Sequence, residues 1–216
     1  MGGEAGGGLE ILGRQSSHYT RVVRIFAHEL DLPVRFTPIY ELMSLESGDY
    51  GGNPALKLPI LRADGEAVFG TLNICRVLVR RAGPGPVVCW PEDARSALLL
   101  NAYEILAHAM AAQVEVVFHE IVQQRPADAA SIKRRQSLLA CVEWLDRSLD
   151  GVLTALPDRT LSYFEVCLYC LLSHFPFRNP IHLGGMSALT AFERRFGERP
   201  SAKATPYRFD APQAAS

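Results

Sequence analysis

The sequence has no long apolar run and little excess of charge of either sign. No apolar stretch is long enough to span a bilayer, and the first residues lack the apolar core of a secretion signal. The formal net charge of -1 supplies no broad basic surface for nucleic acid or an anionic membrane. We therefore expect a cytoplasmic protein with no nucleic-acid or membrane partner.

Cysteines are few, and their spacing does not suggest a disulfide framework. There are 5 of them, an odd number, and a reduced cytoplasmic protein explains this most simply. Cys167 and Cys170 form a C-x-x-C pair within the apolar run from Phe164 to Phe175. Redox pairs of this type need a helix N-terminus or a nearby cation, so we expect both thiols to pack in the core.

The length and composition allow one large domain or two small ones. The 216 residues are 48% hydrophobic and 21% charged, as in ordinary soluble globular proteins. A glycine- and proline-rich segment, 82–86, is the clearest linker. It separates a first domain, 9–81, from a second, 92–200. The segments 1–8 and 201–216 are predicted to be flexible tails.

The first domain has the order strand, helix, strand, loop, strand, strand, helix. Apolar and polar residues alternate over 9–12 and 34–39, and apolar residues recur at helical spacing between these two segments. A strand–helix–strand unit implies a parallel pair with a right-handed crossover. Asp64 and Gly65 predict a tight type I′ hairpin between two later strands.

Polar residues mark the helix starts of this domain. Ser16 and Ser17 lie where the first strand ends and the first helix begins, a point where unpaired backbone N–H groups favour an anion. From local sequence alone, either serine also fits the role of a helix cap, and capping is the commoner role of a serine at such a position. Thr71 begins another helix after Gly70, and 40–52 is predicted to be an exposed loop.

The second domain is predicted to be all-helical. Apolar residues recur at helical spacing over about 94–124, again over a second long helix that carries apolar positions from Leu138 to Leu156, and in a last helix over 187–196. Short connections between long helices imply antiparallel neighbours. Nothing in this half has the pattern of a strand.

Two carboxylate–histidine pairs on the first long helix have spacing that a metal site could use. Glu104 and His108, like Glu115 and His119, are four residues apart. No second helix with a matching pair faces them. We therefore expect solvated side chains and no metal site.

Several motifs resemble those of the glutathione transferase superfamily. Ser-Ser-His-Tyr-Thr-Arg-Val, 16–22, resembles the Ser-Ser-Cys-x-x-Arg-Val turn of zeta-class members and the Ser-Pro-[Phe/Tyr]-x-x-Arg-Val of tau-like members. Asn-Pro-Ala-Leu-Lys-Leu-Pro, 53–59, resembles the family motif Asn-Pro-x-x-x-[Val/Leu]-Pro, in which the proline is cis. The capping box from Ser162 to Glu165 extends the resemblance into the second half.

The resemblance implies an α+β fold and a glutathione site. The fold would be a thioredoxin-like βαβ-ββα domain followed by an all-helical domain, in a homodimer. Ser16 would donate a hydrogen bond to the glutathione sulfur, and Leu58, before a cis Pro59, would pair with the glutathione backbone. Thr71 would lie near the γ-glutamyl carboxylate. This implies a serine-type enzyme that activates the thiol for attack on a small hydrophobic electrophile.

Further residues are candidates for supporting roles. Ser17 and His18 are possible auxiliaries of Ser16, and the sequence leaves open whether His18 assists chemistry or faces solvent. The resemblance places the first long helix beside the electrophile pocket, with Tyr103, Met110 and Gln113 as candidates. Residues of these types at helical spacing are also typical of a core.

One departure from the family pattern leaves the function open. The family has an acid or amide before the serine that Thr71 replaces, whereas this sequence has Gly70. Loss of that partner for the glutathione ammonium weakens binding by about 1.5–3 kcal/mol. Two alternatives to a transferase are therefore a glutathione-dependent cis-trans isomerase, which the zeta-like serines permit, and a non-catalytic scaffold. A thiol oxidoreductase is disfavoured because 14–21 contains no cysteine.

Overall fold

The computed structural model describes residues 8–178 and 181–211, and it divides into two compact units. Unit 1 contains the chain up to Pro86 together with the residues from Pro200 onward. Unit 2 runs from Val87 to Arg199. The division falls at the end of the predicted linker.

Unit 1 is built around a four-stranded mixed sheet. In chain order its elements are β1 (Leu9–Gly13), α1 (His18–Glu29), β2 (Val34–Pro38), β3 (Ile60–Ala63), β4 (Glu66–Phe69) and α2 (Thr71–Ala82). The strands lie in the order β2-β1-β3-β4, with β1 parallel to β2 and antiparallel to β3, which forms a hairpin with β4. The predicted thioredoxin-like element order is confirmed.

The core of unit 1 joins the sheet to its two long helices. Ile11, Ile60 and Leu61 of the sheet are at most 1% exposed, and α1 and α2 pack against each other. The apolar side chains of α1 recur on one face because its sequence has helical spacing. The φ angles of 51° at Asp64 and 81° at Gly65 are both positive, as the predicted type I′ hairpin requires.

The predicted loop from Tyr40 onward is only partly exposed. Leu42, Met43 and Leu45 are exposed, but a short 3-10 turn at Ser47–Tyr50 buries the Tyr50 side chain. Tyr50 packs with Leu12 of β1 and Ile60 of β3. Because the loop is mostly polar, its sequence did not indicate that Tyr50 would be buried.

Unit 2 is helical apart from one short pair of strands. Its elements are β5 (Val88–Cys89), α3 (Ala97–Val116), α4 (Ala129–Ala155), β6 (Leu161–Ser162), α5 (Tyr163–Arg178) and α6 (Ser187–Gly197). Helix α3 packs against α4 and α5, and α6 packs against the same two helices. Phe164, Leu168 and Phe175 of α5 are fully buried, so α5 is the central helix of this core.

Two predictions for unit 2 were wrong in detail. The expectation of no strand fails, because β5 and β6 pair in parallel, with Val88 opposite Leu161. Two residues are too few for a periodic pattern to show. The first long helix, predicted over 94–124, is α3 followed by a π-helical turn at Val117–Val122.

One stretch of unit 2 is long and apolar enough to cross a membrane by length and composition, so the expectation that no apolar stretch reaches this length was wrong. It runs from Ala97 to Val122, 18 consecutive residues within it have a mean hydropathy of 1.4, and polar residues such as Glu104 interrupt it. Core helices of helical domains meet the same criterion. Its packing against α4 and α5 is that of such a core helix.

The chain after unit 2 begins with a short helix. Helix α7 (Pro200–Ala204) packs against α1, and the Arg21 guanidinium donates to the Ala202 carbonyl at 3.2 Å. The predicted tail 201–216 is therefore helical at its start. Of the predicted tails, residues 1–7 and 212–216 lie outside the described residues.

Candidate functional site

The turn between β1 and α1 separates the two serines. The Ser17 N–H donates to the Arg14 carbonyl at 3.1 Å, which closes a four-residue turn with Ser16 at its third position. The Ser17 hydroxyl accepts the Thr20 N–H at 3.3 Å, and Ser17 is the N-cap of α1. Ser16 is half-buried, one residue ahead of the cap.

A close contact between β1 and α1 fixes this turn. A Cβ added at Gly13 would lie 2.6 Å from the Thr20 hydroxyl oxygen and 2.7 Å from its methyl carbon. The same hydroxyl accepts the Arg14 N–H at 3.3 Å. Glycine is therefore needed where the strand meets the helix. Sequence analysis missed both Gly13 and Thr20, since nothing local signals that two elements touch.

His18 is the first residue of α1 and is only 1% exposed. Its ring centroid lies 4.4 Å from that of Tyr19, with the planes tilted by 55°. This burial excludes a solvent-facing histidine, one of the two interpretations that the sequence left open.

The segment before β3 contains the predicted cis proline. The Leu58–Pro59 peptide bond is cis, as the family resemblance implied. Pro59 is buried, and Leu58 is half-buried against the group formed by Leu12, Tyr50 and Ile60.

Asn53 shapes the loop that leads to this bond. Its side-chain amide donates to the Lys57 carbonyl at 2.8 Å, and its oxygen accepts the Ala55 N–H at 3.0 Å. The Asn53 side chain thus binds backbone groups at two points of the loop, and the residue is only 5% exposed. The Asn-Pro pair is a turn signal that could have predicted this role.

The start of α2 is open to an anion. Thr71 is its first residue, and no acidic side chain lies in its first turn. The N-cap is Gly70, with φ 84° and ψ 128°, a conformation that L-residues adopt only with strain. An added Cβ there would meet only the Asn73 amide nitrogen, at an ordinary 3.6 Å. Backbone shape, rather than crowding, therefore favours glycine at this position.

Strand register brings the three polar features to one end of the sheet. Leu12 of β1 lies opposite Ile60 of β3, which in turn lies opposite Phe69 of β4. Ser16 follows shortly after Leu12, and Thr71 follows shortly after Phe69. The cis bond directly precedes Ile60. The end of one sheet therefore carries the Ser16 hydroxyl, the Leu58–Pro59 segment and a helix N-terminus.

A carboxylate from far along the chain contacts the same end. Asp210 accepts the Gln15 backbone N–H at 2.8 Å and the Gln15 side-chain amide at 2.9 Å. Its side chain is 2% exposed, and the Arg14 Nε atom lies 3.4 Å from one carboxylate oxygen. Sequence analysis missed Asp210, which belongs to the predicted flexible tail and is separated from Gln15 by 195 positions.

Comparison with known proteins identifies the fold. Residues 16–81 match the family described as glutathione S-transferase, N-terminal domain. A glutathione S-transferase from Methylobacillus flagellatus, with GSH bound, has 20% identity and a TM-score of 0.75 over 93% of this chain and 100% of its own. The chain has the glutathione transferase fold.

Two further structures lead to the same conclusion. A glutathione transferase family member from Pseudomonas fluorescens, with bound glutathione, has 20% identity and a TM-score of 0.76 over 93% of this chain and 99% of its own. A glutathione S-transferase from Methylobacterium radiotolerans, in complex with glutathione sulfonate, has 19% identity and a TM-score of 0.71 over 96% and 99%. No curated protein matches the sequence. The predicted superfamily is confirmed for residues 16–81, and the predicted fold for nearly the whole chain.

Within the helical unit of this glutathione transferase fold, two of the three predicted pocket residues lie in the core. Met110 is 3% exposed and Gln113 is 0% exposed. The Gln113 amide nitrogen lies 3.1 Å from the ring nitrogen Nδ1 of His174. This burial favours packing over pocket lining for Met110 and Gln113.

Tyr103, the third residue, is half-buried and contacts the short strand pair. Its hydroxyl lies 3.8 Å from the Cys89 sulfur, and its ring is edge-on to Phe164 at 5.5 Å. Burial raises the pKa of Tyr103 above its ordinary value. Tyr103 therefore stays protonated at neutral pH.

The described residues contain no group of three or more side chains arranged to hold a metal ion. His108 pairs with the Ser137 hydroxyl at 3.0 Å, and His119 lies 3.2 Å from the Pro126 carbonyl oxygen. Cys167 and Cys170 are buried and belong to no disulfide, and burial raises the pKa of the Cys167 thiol. The C-x-x-C pair is therefore a packing feature.

A concavity of about 530 Å³ in unit 1 lies away from this site. Gly8, Glu10, Pro33 and Arg35 are among its lining residues. Gly8 and Glu10 lie at the start of β1 and Pro33 and Arg35 at the start of the parallel strand β2, at the opposite end of these strands from the Ser16 turn.

Proposed function

We propose that this protein is a serine-type glutathione transferase-like enzyme that activates the glutathione thiol for attack on a small hydrophobic electrophile. The observation that carries the proposal is the convergence of the Ser16 turn, the Leu58–Pro59 bond and the start of α2 at one end of the sheet. Convergent polar groups at one location are typical of ligand sites. The bound GSH and glutathione sulfonate of similar structures support the choice of ligand.

Ser16 is the proposed thiol-binding group because the turn 16–22 resembles the Ser-Ser-x-x-x-Arg-Val motif, in which the first serine holds the sulfur, while Ser17 caps the helix. A free thiol has a pKa near 8.5 and is only a few per cent ionised at neutral pH, and the thiolate is the nucleophile. A hydroxyl donor and the helix N-terminus that lower this pKa by about two units supply roughly 2.7 kcal/mol. The thiol proton goes to solvent. The thiolate sulfur, not the serine, bonds to the electrophilic carbon, and with an aryl halide the carbon–halogen bond breaks and the halide leaves with its electron pair.

The remaining groups would bind and orient glutathione. The backbone of Leu58 would pair with the cysteinyl unit of the ligand. The N–H groups at the start of α2 and the Thr71 hydroxyl would receive the γ-glutamyl carboxylate. Tyr103 is the pocket candidate that is not enclosed in the core. A cis-trans isomerase would use the same thiolate by adding it to a double bond and eliminating it after rotation.

One observation favours the alternative of a non-catalytic scaffold. Gly70 offers no side chain to the glutathione ammonium, and the first turn of α2 has no acidic residue. Titration calorimetry with millimolar glutathione separates the two functions. Heat of binding supports the enzyme, and its absence overturns the enzyme in favour of the scaffold.

Ser16→Ala is the matched test of the catalytic role, with Ser17→Ala as its control. Loss of a hydrogen bond to a charged sulfur should lower kcat/KM with an aryl halide by about 10- to 100-fold. Ser17→Ala should instead lower the free energy of unfolding by about 1 kcal/mol through loss of the cap. Equal losses of turnover in both variants would mean that the turn is aligned one residue wrongly.

The proposal includes a cytoplasmic homodimer. The family resemblance supports the dimer, and the absence of disulfides among the five cysteines of the described residues fits a reducing compartment. Sedimentation at micromolar concentration tests the assembly, and a monomer there would overturn it.

A further inference from the structure

The residues after α7 form an ordered segment of unit 1, which we call the C-terminal strap (205–211). Thr205 anchors its start, since its hydroxyl donates to the Ser201 carbonyl at 2.8 Å and the residue is 4% exposed. The Arg21 guanidinium lies over the Tyr207 ring, 4.4 Å from its centroid. The Tyr40 hydroxyl donates to the Ala211 carbonyl at 3.0 Å.

Between these anchors, Asp210 binds the turn that carries Ser16. One carboxylate oxygen accepts the Gln15 backbone N–H and the other accepts the Gln15 side-chain amide. Gln15 immediately precedes Ser16. A buried carboxylate bound to a backbone N–H is a strong, directional contact.

Arg14 connects this carboxylate to the neighbouring loop. Its Nε atom faces Asp210, while its Nη1 atom donates to the carbonyls of Ile39 at 3.2 Å and Tyr40 at 2.9 Å. The strap, the turn and the chain after β2 are thus held by one set of bonds. The Ser17–Arg14 backbone hydrogen bond closes the turn, and Asp210 of the strap holds it at Gln15.

We propose that Asp210 is a positioning residue for Ser16: through Gln15 it holds the turn in the geometry that lets the Ser16 hydroxyl reach the glutathione sulfur. The inference rests on the proposed function. Misplacement of a reacting group by about 1 Å can cost about 100-fold in rate, so a second constraint on a short turn has a large effect.

The charge of Asp210 acts against thiolate formation, so its benefit must come from the bonds it makes. A nearby carboxylate disfavours a second negative charge. The Arg14 guanidinium, whose Nε lies 3.4 Å from the carboxylate, offsets part of that charge. The strap therefore holds the turn through a carboxylate that is itself paired with Arg14.

The test compares Asp210→Ala with Asp210→Asn. Both variants remove the charge, but asparagine keeps an oxygen that can accept the Gln15 N–H. The exposed Asp158 of unit 2 gives matched controls, Asp158→Ala and Asp158→Asn. Urea unfolding checks that each variant is folded. A difference between alanine and asparagine at 210 therefore reports the bond rather than the charge.

The first measurement is hydrogen exchange of the Gln15 amide, which needs no ligand. Exchange should be at least about tenfold faster in Asp210→Ala than in the wild type, slowed again in Asp210→Asn, and unchanged in the Asp158 controls. Unchanged exchange in Asp210→Ala overturns the inference whether or not the protein binds glutathione.

The second measurement is the thiolate absorbance of bound glutathione as a function of pH. The midpoint should be about half to one pH unit higher in Asp210→Ala than in Asp210→Asn, and this midpoint does not depend on the folded fraction. Equal midpoints with altered Gln15 exchange would overturn the role toward Ser16. Absence of glutathione binding in the wild type is a different result, which overturns the proposed function itself.

Discussion

Buried polar groups serve different purposes in the two units. In unit 1, Asn53 and Asp210 bind backbone groups of the loop before the cis bond and of the turn before Ser16, so they shape segments at the end of the sheet. In unit 2, Gln113 and His174 pair with each other inside the helical core. The first arrangement shapes backbone that a ligand could meet, whereas the second fills space between helices. Polar burial by itself is therefore no sign of a site.

The largest effect should follow from a cavity in unit 2. Phe164 is 0% exposed, so Phe164→Ala should lower the free energy of unfolding by about 3–5 kcal/mol. The glutathione affinity of the folded protein should not change, because the proposed ligand groups belong to unit 1. Urea unfolding and calorimetry measure the two quantities.

The control for this core variant is Ile132→Ala, since Ile132 is 49% exposed on α4. It should change the free energy of unfolding by at most about 0.5 kcal/mol. A weaker glutathione affinity in folded Phe164→Ala would contradict the separation of roles between the units.

In unit 1, Gly13→Ala should lower the free energy of unfolding by less than Phe164→Ala does, but it should also lower activity. The new methyl would lie 2.6 Å from the Thr20 hydroxyl oxygen, so the turn must shift at a cost of about 1–3 kcal/mol. Because the same turn carries Ser16, kcat/KM with an aryl halide should fall as well. Adding Thr20→Ala removes the two nearest atoms and should recover part of the lost stability. Strictly additive losses in the double variant would show that the clash is not the cause.

The smallest effect should come from a polar cluster of unit 1 that lies away from the site. Glu10 accepts the Thr37 hydroxyl at 2.6 Å and pairs with Arg35 at 2.8 Å and Arg62 at 3.5 Å. The Thr37 hydrogen bond, followed by these guanidinium groups, holds the pKa of Glu10 below its ordinary value despite burial. Glu10→Gln should therefore cost about 1 kcal/mol of stability at neutral pH.

The sign of the pH dependence follows from the lowered pKa. The stabilising contribution of Glu10 is complete above the unfolded pKa, about 4.3, and is lost as the pH falls through the lower folded value. Urea unfolding of the wild type and Glu10→Gln from pH 7 to pH 2 should give curves that converge in acid. A stability difference independent of pH would show that the charge of Glu10 does not matter.

Elements with their own local signals could be predicted from the sequence. Periodicity located β1, α1 and α4, and Asp64-Gly65 located the hairpin. The serine half of the predicted capping box was also correct, since the Ser162 hydroxyl accepts the Glu165 N–H at 3.4 Å, and the Glu165 carboxylate accepts from Arg159 Nε at 2.6 Å. Each of these signals lies within a few residues of the structure that it predicts.

Features made by distant residues could not be predicted in this way. Pairing of Val88 with Leu161 and binding of Asp210 to Gln15 both join segments far apart in the chain. Of the site, the two helix starts followed from capping chemistry, but the cis bond at Pro59 followed only from a family resemblance. Burial of Met110 and Gln113 depended on which helices surround α3, and periodicity on one helix does not contain that information.

The backbone at Gly70 has a consequence for engineering. Restoring an acid here would place a side chain on a backbone with φ 84° and ψ 128°, at a cost on the order of 1–3 kcal/mol. Space does not oppose it, because the new Cβ would make an ordinary contact with Asn73. A Gly70→Glu variant would thus gain a carboxylate for the glutathione ammonium but would strain the backbone at position 70. Glycine at position 70 therefore favours the stability of the fold, whereas an acid would favour contact with the ligand. A single substitution exchanges one benefit for the other.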